Sequence, residues 1–98
     1  MDNSKYFNPG DVVILKKLDP ITLDIINSKK FPKQIQIDES LFKGQKVWLR
    51  RSKVLLRGDE TIKCRHPVTS VIMEIIVLNV DLLKVKTVHS TYYIQKVT

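Results

Sequence analysis

Short runs of alternating apolar and polar residues, separated by turn-forming residues, recur along this chain. A β-branched run over residues 12–16 follows the turn sequence Asn8-Pro9-Gly10-Asp11, and residues 34–37 alternate with a period of two. A period of two directs successive side chains to opposite faces of a strand. The pattern therefore predicts a mainly β protein with half-buried strands.

One segment between these runs favours a helix instead. Asp19 followed by Pro20 combines an N-cap residue with a proline at the first helical position. We therefore predict a short helix over residues 19–27, ended before the Phe31-Pro32 pair. Its apolar face would consist of Ile21, Ile25 and Ile26.

The last third of the chain has the most regular pattern. Strand-like runs over residues 71–78, 82–88 and 91–97 are separated by short turn sequences. Three strands joined by short turns predict an antiparallel three-stranded meander over residues 71–97. Apolar residues would line one face of its first strand, and in its second strand apolar residues alternate with lysines. The residues concerned are Met73, Ile75 and Val77 in the first strand, then Leu83 and Val85 with Lys84 and Lys86.

The middle third predicts a hairpin. Residues 53–57 and 61–65 flank Gly58-Asp59-Glu60, a sequence suited to a hairpin turn. Before it, the run over residues 46–51 would place Val47 and Leu49 on one face, and Trp48 with Arg50 on the other.

The opening Gly10-Asp11-Val12-Val13, together with Met73-Glu74-Ile75-Ile76 and Leu83-Lys84-Val85-Lys86, resembles the small SH3-like barrels of bacterial and phage proteins. The resemblance covers residues 6–15 and 70–97. It implies a small antiparallel SH3-like barrel in which the first strand closes the sheet and the C-terminal meander supplies its body. Residues 16–69 would form an elaborated basic middle segment. The resemblance also implies a binding or assembly module, and it names no site.

Length and composition agree with one small domain. The 98 residues predict a single domain over residues 1–98, and the one cysteine excludes an internal disulfide. No apolar run follows the first residues, so we expect no signal peptide. The longest apolar stretch, residues 71–78, is too short to span a bilayer. We therefore expect a protein of the virion or the cytoplasm that is not secreted.

The positive charge of the chain is concentrated in its middle. Residues 29–65 contain eleven Lys or Arg against four acids, while the flanks nearly cancel, within a formal net charge of +7. Such a block favours an acidic partner. Trp48 would either join the core or form a cation–aromatic surface with Arg50. The predicted partner-binding residues are Lys46, Trp48, Arg50, Arg51, Lys53, Arg57, Lys63 and Arg65.

The remaining candidate chemistry is sparse. Cys64, His66 and His89 are fewer ligands than a structural zinc site uses, and Pro67 predicts a turn directly after His66. Cys64 and His66 also lack a third group to orient the base and a glycine-rich oxyanion turn. We expect no catalytic residue, metal or cofactor. We expect solvated turns at Asp38-Glu39, at Asp59-Glu60 and at Arg57-Gly58-Asp59.

Two functions fit these observations. The first is a non-enzymatic structural or accessory subunit of a larger assembly, such as a minor or auxiliary phage virion protein, which docks onto other protein subunits through the basic hairpin. The alternative is a basic nucleic-acid-binding module similar to ribosomal or elongation-factor barrels. A steep loss of nucleic-acid affinity with salt would distinguish the second from the first. Neither function involves a membrane or a small-molecule substrate.

Overall fold

The computed structural model describes residues 4–54 and 61–97, and it describes side chains for residues 4–50 and 66–97. These residues contain seven strands and no helix. All strand pairs are antiparallel, so the prediction of a mainly β protein is confirmed. The strands are β1 (Val12–Leu18), β2 (Lys33–Gln36), β3 (Trp48–Val54), β4 (Thr61–Pro67), β5 (Ile72–Asn79), β6 (Leu82–Thr87) and β7 (Thr91–Lys96).

Five strands form one sheet in the order β2-β1-β7-β6-β5, and β3 pairs with β4 in a separate two-stranded sheet. The described strands do not close into a barrel, because β2 and β5 lie at opposite edges of the larger sheet. The strands between them in sequence, β3 and β4, pair with each other instead. An isolated bridge from Ile37 to Leu49 joins the two sheets.

The core lies on one face of the five-stranded sheet. Val13, Leu15 and Ile94 on this face are fully buried, and Leu83 and Val85 of β6 are buried beside them. Three aliphatic side chains from the segments around β3 complete the core: Ile37, Leu41 and Val47. Burying each such side chain contributes about 1.5–3 kcal/mol.

Residues 19–27 do not form the predicted helix. The Asp19 carboxylate accepts hydrogen bonds from the backbone N–H groups of Ile21 (2.8 Å) and Thr22 (3.0 Å), as an N-cap residue does. Leu23, however, adopts a left-handed conformation with φ 61°. An antiparallel bridge from Leu18 to Ile25 then reverses the chain. The β-branched residues of this segment favour the helix too weakly to prevent that reversal.

The second arm of the predicted hairpin, residues 61–65, is confirmed as part of β4, whereas the strand paired with it begins earlier than predicted. β3 runs without interruption from Trp48 to Val54, and Val54 pairs with Thr61. The expected arm over residues 53–57 and its turn fall largely outside the described residues, which end at 54 and resume at 61. The chain also does not turn after His66, because Pro67 is the last residue of β4 and pairs with Trp48. A strand end tolerates a proline, since its missing N–H need not join the ladder.

Candidate binding surfaces

The residues predicted to bind a partner lie mostly on the β3–β4 hairpin. The register places Arg50 opposite Arg65, Ser52 opposite Lys63, and Arg51 and Lys53 on the same strand as Arg50. The side chains of Arg51, Lys53, Lys63 and Arg65, and all of Arg57, lie outside the described residues. The three predicted residues with described side chains are half-buried: Lys46, Trp48 and Arg50.

Trp48 is neither a fully buried core residue nor a free surface platform. It is half-buried, and its indole Nε1 donates a hydrogen bond to Oε1 of Gln45 at 2.9 Å. The Gln45 side chain in turn donates from Nε2 to Oε2 of Glu39 at 2.7 Å. A tryptophan with a partly buried ring needs such an acceptor for its N–H. Trp48 therefore fixes the start of β3 to the preceding segment.

Arg50 is held by an ion pair. Its Nε donates to Oδ1 of Asp38 at 3.1 Å, and the two side chains are 35% and 29% exposed. The backbone N–H of Asp38 also donates to the carbonyl of Trp48 at 2.9 Å. Arg50, one of the predicted partner-binding residues, is thus held at the base of β3 by Asp38. Asp38 and Glu39 are likewise half-buried and hydrogen-bonded rather than a solvated acidic turn.

The histidines do not form a described metal site. His66 lies in β4 opposite Leu49 and is half-buried, whereas His89 is exposed between β6 and β7. The Cys64 side chain lies outside the described residues. Within the described part of the chain, no three His, Cys, Asp or Glu residues are grouped closely enough to hold a metal ion. Nor does that part contain a helix with the length and hydrophobicity needed to cross a membrane.

Among the described strands, β5 is an edge strand that pairs with β6 on one side only. On the other side, the N–H of Gly44 donates to the carbonyl of Ile72, and the N–H of Ile72 donates to the carbonyl of Gln45, both at 2.8 Å. No other backbone hydrogen bond from a described residue reaches this side of β5. The outward N–H and C=O groups at residues 73–79 therefore have no backbone partner within residues 4–54 and 61–97.

Apolar side chains are exposed along this edge. Met73, Ile76, Val77 and Leu78 are each between 43% and 50% exposed, and Glu74 is the strand's one charged residue. We call the residues from Met73 to Leu78 the β5 edge. The predicted apolar face is therefore only partly buried, since Ile75 packs against the core while Met73 and Val77 do not. The sequence signal was present as an apolar run interrupted only by Glu74, but it did not show that the strand lies at an edge.

A second surface combines lysines with aromatic rings. Lys17, Lys29, Lys30 and Lys33 line a groove of about 750 Å³ whose walls also include Phe31 and Tyr92. We call this surface the lysine groove. Three of its lysines belong to the basic block, but Lys17 lies outside that block in sequence and was not predicted. The local sequence Lys29-Lys30-Phe31-Pro32-Lys33 was a usable signal for it.

A third surface has mixed charge. A groove of about 440 Å³ on the opposite side of the sheet is lined by Lys84, Lys86 and His89 together with Glu74. Its apolar lining includes Ile76 of the β5 edge. The carboxylate of Glu74 offsets part of the positive charge of this groove, so its preference for an anionic ligand is weaker than that of the lysine groove.

No family model matches this chain, and no curated protein or solved structure matches it either. The surfaces described above are therefore the basis for the functional inference.

Proposed function

We propose that this protein is a non-enzymatic structural or accessory subunit of a larger assembly and that its copies join through the β5 edge. An auxiliary protein of a phage virion is an example of such a subunit. The observation that carries the proposal is an edge strand with unpaired backbone groups and exposed apolar side chains. Such an edge is a template for pairing with another strand.

A second copy of the chain suits this edge. The register from Glu74 to Val77 is regular, and a bulge lies on either side of it. Two such edges can pair antiparallel, and each then supplies the donors and acceptors that the other lacks. The pairing brings apolar side chains together and includes one acid per copy. The lysines of the neighbouring strand β6 are one strand spacing of about 5 Å further from the contact.

We further propose that the β3–β4 hairpin is a basic arm that docks onto an acidic surface of another subunit. Two features support this. The hairpin belongs to a two-stranded sheet separate from the main sheet. It also carries five of the predicted contact residues in its strands beside Trp48, namely Arg50, Arg51, Lys53, Lys63 and Arg65.

The fold relationship that we propose is to the small SH3-like barrels. The antiparallel pairing of β1 with β7 supports it, because the first strand of those barrels lies beside the last. The successive antiparallel pairing of β5, β6 and β7 supports the proposal that the C-terminal strands form its meander.

The oligomeric state in solution tests the main proposal. Sedimentation velocity over a concentration series should show reversible self-association of the wild-type protein. Val77→Lys should give a monomer, because a charge on the β5 edge opposes strand pairing. Val97→Lys is the matched control: Val97 is 49% exposed, it follows β7, which β6 separates from β5, and its variant should associate as the wild type does.

Two results would overturn the proposal. One is a wild-type protein that remains monomeric at all concentrations. The other is equal loss of association in the Val77 and Val97 variants, which would assign the effect to net charge. Since Val77 is already half-exposed, its replacement should change the unfolding midpoint little, and urea unfolding of each variant checks this.

A further inference from the structure

We propose that the lysine groove binds the phosphodiester backbone of a single-stranded nucleic acid. This site is independent of the β5 edge and lies on a different part of the sheet, beside β1, β2 and β7. It also differs from the basic hairpin that the sequence indicated. The proposal rests on how the fold positions four lysines, on the aromatic surface beneath them, and on the absence of neutralising acids.

Strand pairing and one turn bring the lysines together. β1 places Lys17 opposite Tyr92 of β7, and it places Leu15 opposite Lys33 of β2. The turn before β2 is closed by a hydrogen bond of 2.8 Å from the N–H of Ser28 to the carbonyl of Phe31.

The same turn holds two further lysines outward. The hydroxyl oxygen of Ser28 accepts hydrogen bonds from the N–H groups of Lys30 and Phe31, each at 3.3 Å. Lys29 and Lys30 in this turn are exposed, whereas Lys17 and Lys33 in the strands are half-buried. Ammonium groups from two strands and a turn therefore surround one groove.

Aromatic rings form an ordered apolar surface in the groove. The ring centroids of Phe31 and Tyr92 are 5.6 Å apart with an interplanar angle of 50°. Lys17 Nζ lies 5.8 Å from the centroid of Phe31, within the range of a cation–π contact. Phe31 also packs against the core, which fixes the ring in place. Grooves for single strands commonly combine such rings with backbone-tracking positive charge.

Among the residues whose side chains are described, no acid neutralises the positive charge of the groove. No Asp or Glu is among its described lining residues, and none of its four lysines is in a described ion pair. Elsewhere the described cations Arg50 and Lys96 are paired with Asp38 and Asp11. Four neighbouring ammonium groups repel one another, so binding a polyanion relieves this repulsion as well as releasing counterions.

The ring surface between the lysines favours a nucleic acid over an acidic peptide, because bases can contact it and carboxylates cannot. The planar fork of arginine binds carboxylate and phosphate alike through two hydrogen bonds. The described lining of the groove has lysines and no arginine. Lysine acts as a point charge that suits phosphate oxygens, and the apolar surface of Phe31 and Pro32 can contact bases. A flexible single strand can follow a groove bounded by a turn more closely than a duplex can.

Fluorescence polarisation with a labelled oligothymidylate of about 12 nucleotides tests this site. Titrations of the wild-type protein at several salt concentrations between about 50 and 200 mM should give a log–log slope of about −3 for four phosphate contacts. Lys29→Gln/Lys30→Gln/Lys33→Gln should weaken binding at least tenfold and reduce the slope by about 2. Lys29→Gln/Lys30→Gln, confined to exposed positions, should show the same trend if the triple variant is unstable.

The matched control is Lys5→Gln/Lys84→Gln/Lys86→Gln, which removes the same charge from elsewhere on the surface. It should retain near wild-type affinity, and so should Val77→Lys at the β5 edge. The proposal is overturned if the control weakens binding as much as the groove variant does. It is also overturned if the wild-type protein does not bind at about 50 mM salt. Equal affinity for duplex DNA or polyglutamate through the same lysines would likewise exclude a single-strand site.

Discussion

At the scale of single residues, the ion pair between Arg50 and Asp38 joins the beginning of β3 to the segment that follows β2. Twelve positions separate the two residues in sequence, and the bridge from Ile37 to Leu49 brings them together. Both side chains are about one-third exposed, so solvent weakens their attraction. The pair therefore orients the base of the hairpin more than it stabilises the fold.

A double-mutant cycle measures this pair. We expect Arg50→Ala and Asp38→Ala each to lower the free energy of unfolding by about 1 kcal/mol. The coupling energy should be about 0.5 kcal/mol, because the pair is partly solvated. Urea unfolding of the wild-type protein, both single variants and the double variant gives these values. Strict additivity would show that the two side chains do not interact in solution.

Asp19 gives a prediction of pH dependence. Hydrogen bonds from the backbone N–H groups of Thr22 and Ile21 hold the pKa of its carboxyl below the ordinary value of 3.8. A pKa lowered by folding means that the carboxylate form stabilises the native state above the unfolded pKa, and that this stability is lost as the pH falls through the folded pKa. Asp19→Ala should therefore be less stable than the wild type at neutral pH.

The difference between these two proteins should narrow as the pH falls below 3.8. Unfolding midpoints measured between neutral and acidic pH test the narrowing, and a titration of the Asp19 carboxyl followed by NMR tests the direction of the pKa. A pKa at or above the ordinary value would contradict the loop geometry at Ile21 and Thr22. If the stability difference between the wild type and Asp19→Ala stayed constant across the pH range, ionisation of Asp19 would not contribute to folding stability.

At the scale of secondary-structure elements, the positions of the strands were easier to predict than the burial of their side chains. In β6, apolar residues alternate with lysines, which predicted a strand with one solvent-exposed face. The two apolar residues, Leu83 and Val85, are indeed buried. β5 was also predicted as a strand, yet most of its apolar residues remain half-exposed, and no described strand pairs with its outer side. Periodicity reports the local conformation, whereas pairing partners decide burial.

The hairpin gives a prediction at this scale. Arg51→Gln/Arg57→Gln/Lys63→Gln removes three charges from the arm that we propose to bind an acidic protein surface. We expect weaker binding to polyglutamate, used here as an acidic probe, and a smaller salt dependence. Binding assays at low and moderate salt measure both. The lysine-groove variant and the control at Lys5, Lys84 and Lys86 should bind polyglutamate as the wild type does. If the hairpin variant binds polyglutamate with wild-type affinity, the hairpin does not have this role.

At the scale of the whole molecule, the chain carries a formal net charge of +7. Described acids pair with Arg50 and Lys96, while the lysine groove contains none. Unneutralised charge of one sign destabilises the compact state through self-repulsion, and salt screens it. The lysine groove is one place where this repulsion is concentrated.

Stability should therefore rise with ionic strength. We expect a higher urea midpoint in about 150 mM NaCl than in about 10 mM NaCl, where charges interact over longer distances. The increase should be smaller for Lys29→Gln/Lys30→Gln/Lys33→Gln, which lacks three of the repelling charges. A midpoint that falls with salt would show that favourable ion pairs outweigh the repulsion.

The sequence by itself determined the mainly β character, most strand positions in the N- and C-terminal thirds, and the excess of positive charge. These are local or additive properties: strand alternation is visible within a few residues, and charge is a sum over the chain. At Asp19 the local signal misled because two structures share it. The hydrogen bonds that cap the chain at Asp19 occur both in helices and in tight loops, and the left-handed conformation of Leu23 makes this segment a loop.

Only the tertiary structure decided which surfaces exist. The sequence did not show the ion pair of Arg50 with Asp38, which forms because a bridge between the two sheets aligns the two residues. Lys17 lines the same groove as Lys29 and Lys33, which are distant from it in sequence, because β1 pairs with both β2 and β7. The apolar β5 edge is exposed because β3 and β4 pair with each other and leave it uncovered. Each outcome depends on long-range pairing, which the spacing of residues along one chain does not specify.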